Sequence, residues 1–479
     1  MRPVSGLHAD SLPEFAPFAI AVLVYSVALF APQVLNDGDT WSHIAVGQWI
    51  IQHQAVPRTD PFSFTFAGAP WGAHEWLAEL AMAAAYAVAG VSGVLILTAS
   101  CAALTAWLLA RHLQFWLKPL AASVVLIFAL GCLASGLLAR PHVLALPLME
   151  LWTAGLVMAR SGDRAPGLWL LPVMTLWANL HGGFAFGLVL VPVFGLEAMI
   201  MGSLPRWRAA RAWGGFFVAA IAAALLTPYG WRGLIFPLQL LHRTHLADIG
   251  EWRSLDFSHL QPLEVALLAL LYVCLSRGVR IPPVRLLLLL GLLHMALQHT
   301  RHQMLVGVVA PLVLAEPLAQ ALSQQSLRNL AESRRAATAS TLAALVILAA
   351  LTGFRLAHAA IPRDGPTSPI SALAHVPSKQ RAQAVFNDYA FGGLLMLEGI
   401  KPFIDARAEL YDDDFIGAYL EMMQPDRDGL EEAFRRYGVT WTILAPASRA
   451  VAVLDMLPGW RRVYADRFAV IHVREDALR

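Results

Sequence analysis

Long apolar runs broken by short polar loops fill the first 360 positions of the chain. A run of about 20 apolar residues is long enough to cross a bilayer. Such runs lie at about 15–35, 91–111, 119–138, 142–160, 166–180, 183–203, 209–228, 262–277, 283–298, 304–322 and 337–358. The spacing predicts about eleven spans. Basic residues collect in alternate loops, at Arg111/Lys118, Arg160/Arg164, Arg206/Arg208/Arg211, Arg277/Arg280/Arg285 and Arg328/Arg334/Arg335. Cytoplasmic loops are enriched in Lys and Arg, so these loops are placed inside. The N-terminus then lies inside and the C-terminus outside. No small-x-small cleavage pattern follows the first run, which reads as an anchor.

Two helical stretches in the first outer loop need not span. In about 40–54, Trp41, Ile44, Ala45 and Trp49 share one face while Ser42, Gln48 and Gln52 point away. That pattern predicts an amphipathic helix lying at the membrane surface. The second, about 74–89, is Ala-rich and ends at Gly90. Were it to span, every later loop would change sides, so the basic clusters make it interfacial. A third amphipathic stretch lies near 233–243.

After about 360 the pattern changes. Pro362, Pro366 and Pro369 mark a linker, and charges become frequent. Short β-rich runs at 384–386, 402–406, 441–444, 462–464 and 468–473 alternate with helical runs at 390–398, 414–423, 428–437 and 448–456. This predicts a soluble α/β domain over 361–479 beside a transmembrane domain over 1–360. The fold class is therefore an all-α polytopic membrane protein with a C-terminal α/β domain.

Composition agrees. The chain is 57% hydrophobic and 14% charged, whereas soluble domains are nearer a quarter charged. The net charge of +2 gives no reason to expect a nucleic-acid partner. Cys101, Cys132 and Cys274 all fall inside apolar runs and read as small core residues. Richness in Ala, Leu and Arg against three lysines suggests a high-GC bacterium, hence an inner-membrane protein.

The topology gathers ionisable and polar residues on the outer side: Asp37, Asp39, His74, Glu75, Arg140, His142, Asn179, His181, Tyr229, Glu251, Asp256, His299, Arg301 and His302. Ionisable residues in membrane domains mark functional sites by default. Asp37-Gly38-Asp39 stands just beyond the first span. One carboxylate suits accepting a proton from an attacking hydroxyl. The pair also suits a divalent cation (Mg, Mn or Ca) on a phosphate leaving group. The same residues equally suit a helix start, with Asp39 as N-cap and Asp37-Gly38 as a turn. Arg140 and Arg301 suit phosphate recognition, and equally snorkelling at helix ends. Asn179 and His181 flank a Gly182-Gly183 turn, facing a cavity or satisfying turn backbone. Glu251, Arg253 and Asp256 read as a second acidic group or as a solvated loop. Asp405, Arg407 and Glu409 alternate along a predicted strand and so share one face. With Asn387-Asp388-Tyr389 they read either as an acceptor site or as a network docking the domain. No P-loop, dinucleotide fingerprint, H-E-x-x-H or G-x-S-x-G occurs.

An Asp beyond the first span, followed by two interfacial helices, resembles the GT-C superfamily of membrane glycosyltransferases. Asp39 with His43, and the segment from Pro57 to Trp76, carry the resemblance over about 1–230. Thr40 stands where the family has Glu, and Ala73-His74-Glu75 replaces its Lys-Pro-Pro. Phe386-Asn387-Asp388-Tyr389 through Phe403 to Tyr411 resembles a unit recurring at the end of bacterial membrane proteins of this type.

The resemblance implies transfer of a sugar from a polyprenyl-phosphate donor (undecaprenyl in bacteria) to a glycan, lipid or protein acceptor on the periplasmic face, with inversion. It implies Asp39 as base, with Asp37 the runner-up. Expected substrate contacts are His43, His74, Glu75, Arg140, His142, Asn179, His181, Arg301 and His302. The competing expectation is a transporter or flippase, which calls for mid-membrane ionisable residues and internal repeats; no repeat is visible.

Overall fold

The computed structural model describes residues 15–240, 254–323 and 334–478. Helix α1 (Phe15–Phe30) leads through a 3₁₀ turn at Pro32–Leu35 into α2 (Gly38–His53) and α3 (Trp76–Trp116). There follow α4 (Pro119–Ala134), α5 (Pro141–Ser161), α6 (Leu170–Leu180), α7 (Phe184–Met201), α8 (Arg206–Ala224), α9 (Trp231–Leu240), α10 (Pro262–Arg277), α11 (Pro283–Gln298), α12 (Gln303–Ala321) and α13 (Arg334–Ala357). Among the described residues five helices are long and apolar enough to cross a membrane, and four shorter ones are apolar.

α3 is two helices joined at a sharp corner. Ala89 and Gly90 leave helical geometry, and Gly90 has φ +56°, which glycine adopts at no steric cost. A side chain on Gly93 would fall 1.9 Å from the Ala85 carbonyl oxygen. In a straight helix those residues would stand about 12 Å apart. The predicted break at Gly90 is therefore present, and 76–88 folds back on the following segment.

α2 departs from expectation. It is not an amphipathic helix with one free face. Ser42 is as buried as Trp41 and Ile44, because α2 is covered on one side by α3 and on the other by the C-terminal unit. Gly47 fits under the Glu79 carbonyl of α3, and Gly38 under the Ala390 carbonyl.

The C-terminal unit contains α14 (Ile370–Ala374), α15 (Ser378–Arg381), β1 (Val385–Asn387), α16 (Gly392–Leu397), α17 (Asp413–Met422), α18 (Arg427–Tyr437), β2 (Trp441–Leu444), α19 (Arg449–Met456), β3 (Trp460–Ala465) and β4 (Val470–Arg474). Its sheet runs β1-β2-β4-β3, with β1 and β2 parallel and the other pairs antiparallel. The predicted strand at 402–406 is absent. That segment is irregular, held by Asn387, which accepts from the Phe403 N–H and donates to the Ile404 carbonyl, each at 2.8 Å.

The unit shares a core with the first loop. Phe62, Phe64 and Phe66 pack on Trp71, Phe403, Tyr411 and Phe415. Beneath this aromatic layer Arg407 donates to Asp405 and Asp60, each at 2.7 Å, and lies over the Trp71 ring at 4.5 Å. Asp405 and Arg407 of the 405–409 segment form a docking network, although no strand builds it.

Candidate functional site

A cavity of about 400 Å³ lies between the first loop, the turns before α5 and α7, the turn before α12, and the C-terminal unit. Asp37, Asp39, His43, His74, Glu75, Arg140, His142, His181 and Arg301 all line it. These residues come from 265 positions of sequence and meet because each sits at or near the end of a helix on one side of the bundle.

Asp37 is the N-cap of α2, accepting from the Asp39 N–H at 3.2 Å. The sequence reading gave that cap to Asp39. Asp37 is buried, and the Arg140 guanidinium holds it through both Nε and Nη2, the latter at 2.6 Å. The same Nη2 reaches Asp39 at 3.0 Å. Of the two carboxylates Asp39 is the more open, its side chain 22% exposed against 6%. Arg140 itself enters extended, before Pro141 opens α5. Proline suits the first helical position and pushes the residue before it out of helical geometry.

A second layer surrounds His43. Its Nδ1 lies 3.3 Å from Glu79, and its Nε2 3.9 Å from Glu75. Burial alone would lower the imidazole. The hydrogen bond to Glu79 and the charges of Glu75, Glu79 and Asp39 outweigh it and hold His43 up at about 9. His74 and His181 approach the same Glu75 at 3.7 and 3.5 Å. His181 behaves oppositely: burial, then the charges of His142 and Arg301, hold it well below its ordinary value. Its Nδ1 accepts from the Gly183 N–H at 3.0 Å, so the neutral ring carries its proton on Nε2, toward Glu75.

Several expected contacts lie elsewhere. Asn179 accepts from Trp76 at 2.8 Å and donates to the Thr175 and Leu226 carbonyls. It clamps α6 to its neighbours and does not line the cavity. His142 lines the cavity, but its Nε2 faces the Gly136 carbonyl at 2.8 Å. His302 turns to the Met295 carbonyl; burial and then Arg301 pull it down to about 4, so it offers no cation at neutral pH. Asp256 is exposed and caps its own turn at Ser258. Glu251 and Arg253 lie outside the described residues.

The cation reading of Asp37 and Asp39 does not fit the residues present. Arg140 occupies both Asp37 oxygens, and among the described residues no group of three His, Cys, Asp or Glu side chains is placed to hold a metal ion.

Sequence reasoning missed Glu79, which lines the cavity; Tyr389, Arg407 and Glu409, which read from the sequence as an acceptor site or a docking network, line it too. Glu79 stands as a lone acid in an Ala-rich helix, the one signal that could have found it. The C-terminal residues reach the cavity only through docking.

No protein-family model and no curated protein sequence matches the chain. Similarity appears in three dimensions. The apo oligosaccharyltransferase of Archaeoglobus fulgidus aligns with 89% of this chain and 69% of its own, at 12% identity and TM-score 0.52. The same enzyme in complex with Zn and sulfate aligns with 90% and 68%, at 11% identity and TM-score 0.50. The oligosaccharyltransferase AglB of that organism, with an inhibitory peptide and a dolichol-phosphate, gives 90% and 69% coverage at 12% identity and TM-score 0.48. In fold, the chain is similar to this archaeal oligosaccharyltransferase over about nine-tenths of its length.

Proposed function

We propose that the chain transfers a sugar from a polyprenyl-phosphate donor to an acceptor hydroxyl, with inversion, at the periplasmic face of a bacterial inner membrane. In this reading the bundle has about eleven spans, helix 76–88 lies at the interface, and the α/β unit is outside. Asp39 is the base. It takes the acceptor proton as the acceptor oxygen bonds to the anomeric carbon, while the bond from that carbon to the lipid phosphate breaks. Arg140 holds Asp39 in place through its shared Nη2. Because Arg140 is committed to two carboxylates, Arg301 is the better group to neutralise the departing phosphate.

One observation supports the reading: an apolar groove and the polar cavity are lined by neighbouring residues of the turn after α4. The groove, about 190 Å³, runs between α1, α3, α4 and α5. Leu137 lines the groove and Leu138 the cavity. A polyprenyl tail in the groove brings its phosphate to the polar end. The GT-C fold suits such a donor.

The test is release of lipid phosphate by purified protein given a panel of polyprenyl-phosphate sugars in detergent. Arg301→Gln is expected to lower turnover at least ~100-fold, the scale of a donor to developing charge. An unchanged rate would remove Arg301 from the reaction.

A further inference from the structure

A second cleft, about 380 Å³, lies against the first. Its lining includes Arg58, Trp71, Tyr229, Arg232, Phe236 and Glu409. We propose that it is the acceptor subsite and takes a carbohydrate bearing a carboxylate; this rests on the reading of the neighbouring cavity as the transfer site.

The position argues for an acceptor. Trp71, His74 and Glu409 line both spaces. Between them the chain from Pro70 to Glu75 forms a thin septum: Pro70 and Gly72 face the second cleft, Ala73 and Glu75 the first. The septum is held from behind, since a side chain on Gly72 would meet the Tyr229 ring at 2.8 Å and Tyr229 donates to the Pro57 carbonyl at 2.9 Å. A molecule in the second cleft therefore presents a hydroxyl across the rim to Asp39.

The lining argues for the class. Two guanidiniums, Arg58 and Arg232, face one carboxylate, Glu409, which already accepts from the Trp71 indole at 2.9 Å. The balance is left positive, and guanidinium matches carboxylate geometry. Tyr229 edges the cleft with a flat, half-buried ring; Trp71 and Phe236 border it too, each with one face already covered, by Arg407 and by His74. On the rim, His74 packs on Phe236 with centroids 3.9 Å apart, and its buried Nδ1 has no hydrogen-bond partner within the protein. A sugar hydroxyl would satisfy it.

The test is ligand-observed NMR on the full-length protein in detergent, without donor, using methyl β-glucuronide and its neutral counterpart methyl β-glucoside. The glucuronide is expected to bind at least ~10-fold more tightly, the scale of one charged hydrogen bond. Arg232→Gln is expected to erase that preference without moving the melting temperature, because Arg232 is exposed; Arg58→Gln gives a second variant. Equal binding of the two glycosides, or a preference that survives both substitutions, would overturn the proposal. So would saturable binding of an acidic tripeptide with none of the glucuronide. No donor is present, so failure of the transfer reading at Asp39 leaves this result unaffected.

Discussion

Helix α5 carries a polar cluster at each end, and the two are built on different principles. At its N-terminal end Arg140 enters the cavity with Asp37 and Asp39. About 30 Å along the helix, Arg160 meets Glu197 at 3.2 Å, and Glu197 is shared with Arg285 of α11 at 3.0 Å. Arg285 also reaches Glu316 of α12 at 3.3 Å. In this second cluster Arg285 and Glu197 are buried, and two arginines face two glutamates. Arg160 also meets Asp163 at 3.4 Å, so every charge in the cluster is paired, and it ties α5, α7, α11 and α12 together. The Arg140 cluster is open to a cavity, crowded with carboxylates and imidazoles, and pulls the pKa values of His43 and His181 in opposite directions. Balanced burial holds a bundle together. Imbalance beside open space is what proton and phosphate chemistry needs.

The largest effect expected from breaking this contrast is on the closed side. Arg285→Met leaves buried Glu197 with Arg160 alone and takes the arginine from Glu316, and is expected to cost about 3–5 kcal/mol, as removal of one partner of a buried pair does. Thermal unfolding in detergent measures it. The double variant Arg285→Met/Glu197→Gln should recover most of the loss, and a double variant as unstable as the single would mean that the ions are not coupled.

Next comes the joint between the two units. A side chain on Gly393 would fall 2.1 Å from the Gly38 carbonyl oxygen, so Gly393→Val must push α16 away from α2. The change is expected to cost about 1–3 kcal/mol of overpacking strain and to abolish turnover, since Tyr389 and Arg407 leave the cavity with the unit. Protease sensitivity of the 360–370 linker should rise. A fully active variant would show that docking is dispensable.

A smaller effect separates the clusters by pH. His43 sits at about 9 when folded and near 6.5 when free. The stability it contributes is complete below 6.5 and lost as pH rises through about 9. Melting temperature should therefore decline across that window, and His43→Asn should flatten the decline. An identical slope in the variant would place the titration elsewhere.

Much of the outer site was readable from the chain. Asp37, Asp39, His74, Glu75, Arg140, His181 and Arg301 were picked out because polar residues at the ends of apolar runs are costly without a use. What each one does locally was not readable. Asp37 and Asp39 differ by which one Arg140 grips with two nitrogens, and that depends on a contact across 103 positions. Asn179 looked like a ligand contact for the same reason it makes a good clamp: a buried amide must find partners for all its hydrogen-bonding groups. The inner cluster was hidden because Arg160 and Arg285 look like ordinary positive-inside residues. Their acids, Glu197 and Glu316, lie in other helices, and only packing reveals the pairs. In the C-terminal unit the four strands of the sheet were predicted to within two residues, whereas 402–406 has strand-like residues but is held by side-chain bonds from Asn387. Phe62, Phe64 and Phe66 repeat every second residue and announced a packed face that was not read.

The most direct test compares Asp39→Asn with the Arg285→Met/Glu197→Gln double variant in the same lipid-phosphate release assay, each checked for its melting temperature. The account expects Asp39→Asn to melt like the wild type and to lose at least ~100-fold in turnover, the scale of a positioned general base, while the double variant keeps its rate. Wild-type turnover by Asp39→Asn, or a comparable loss in the double variant, would contradict the assignment of chemistry to the outer cavity.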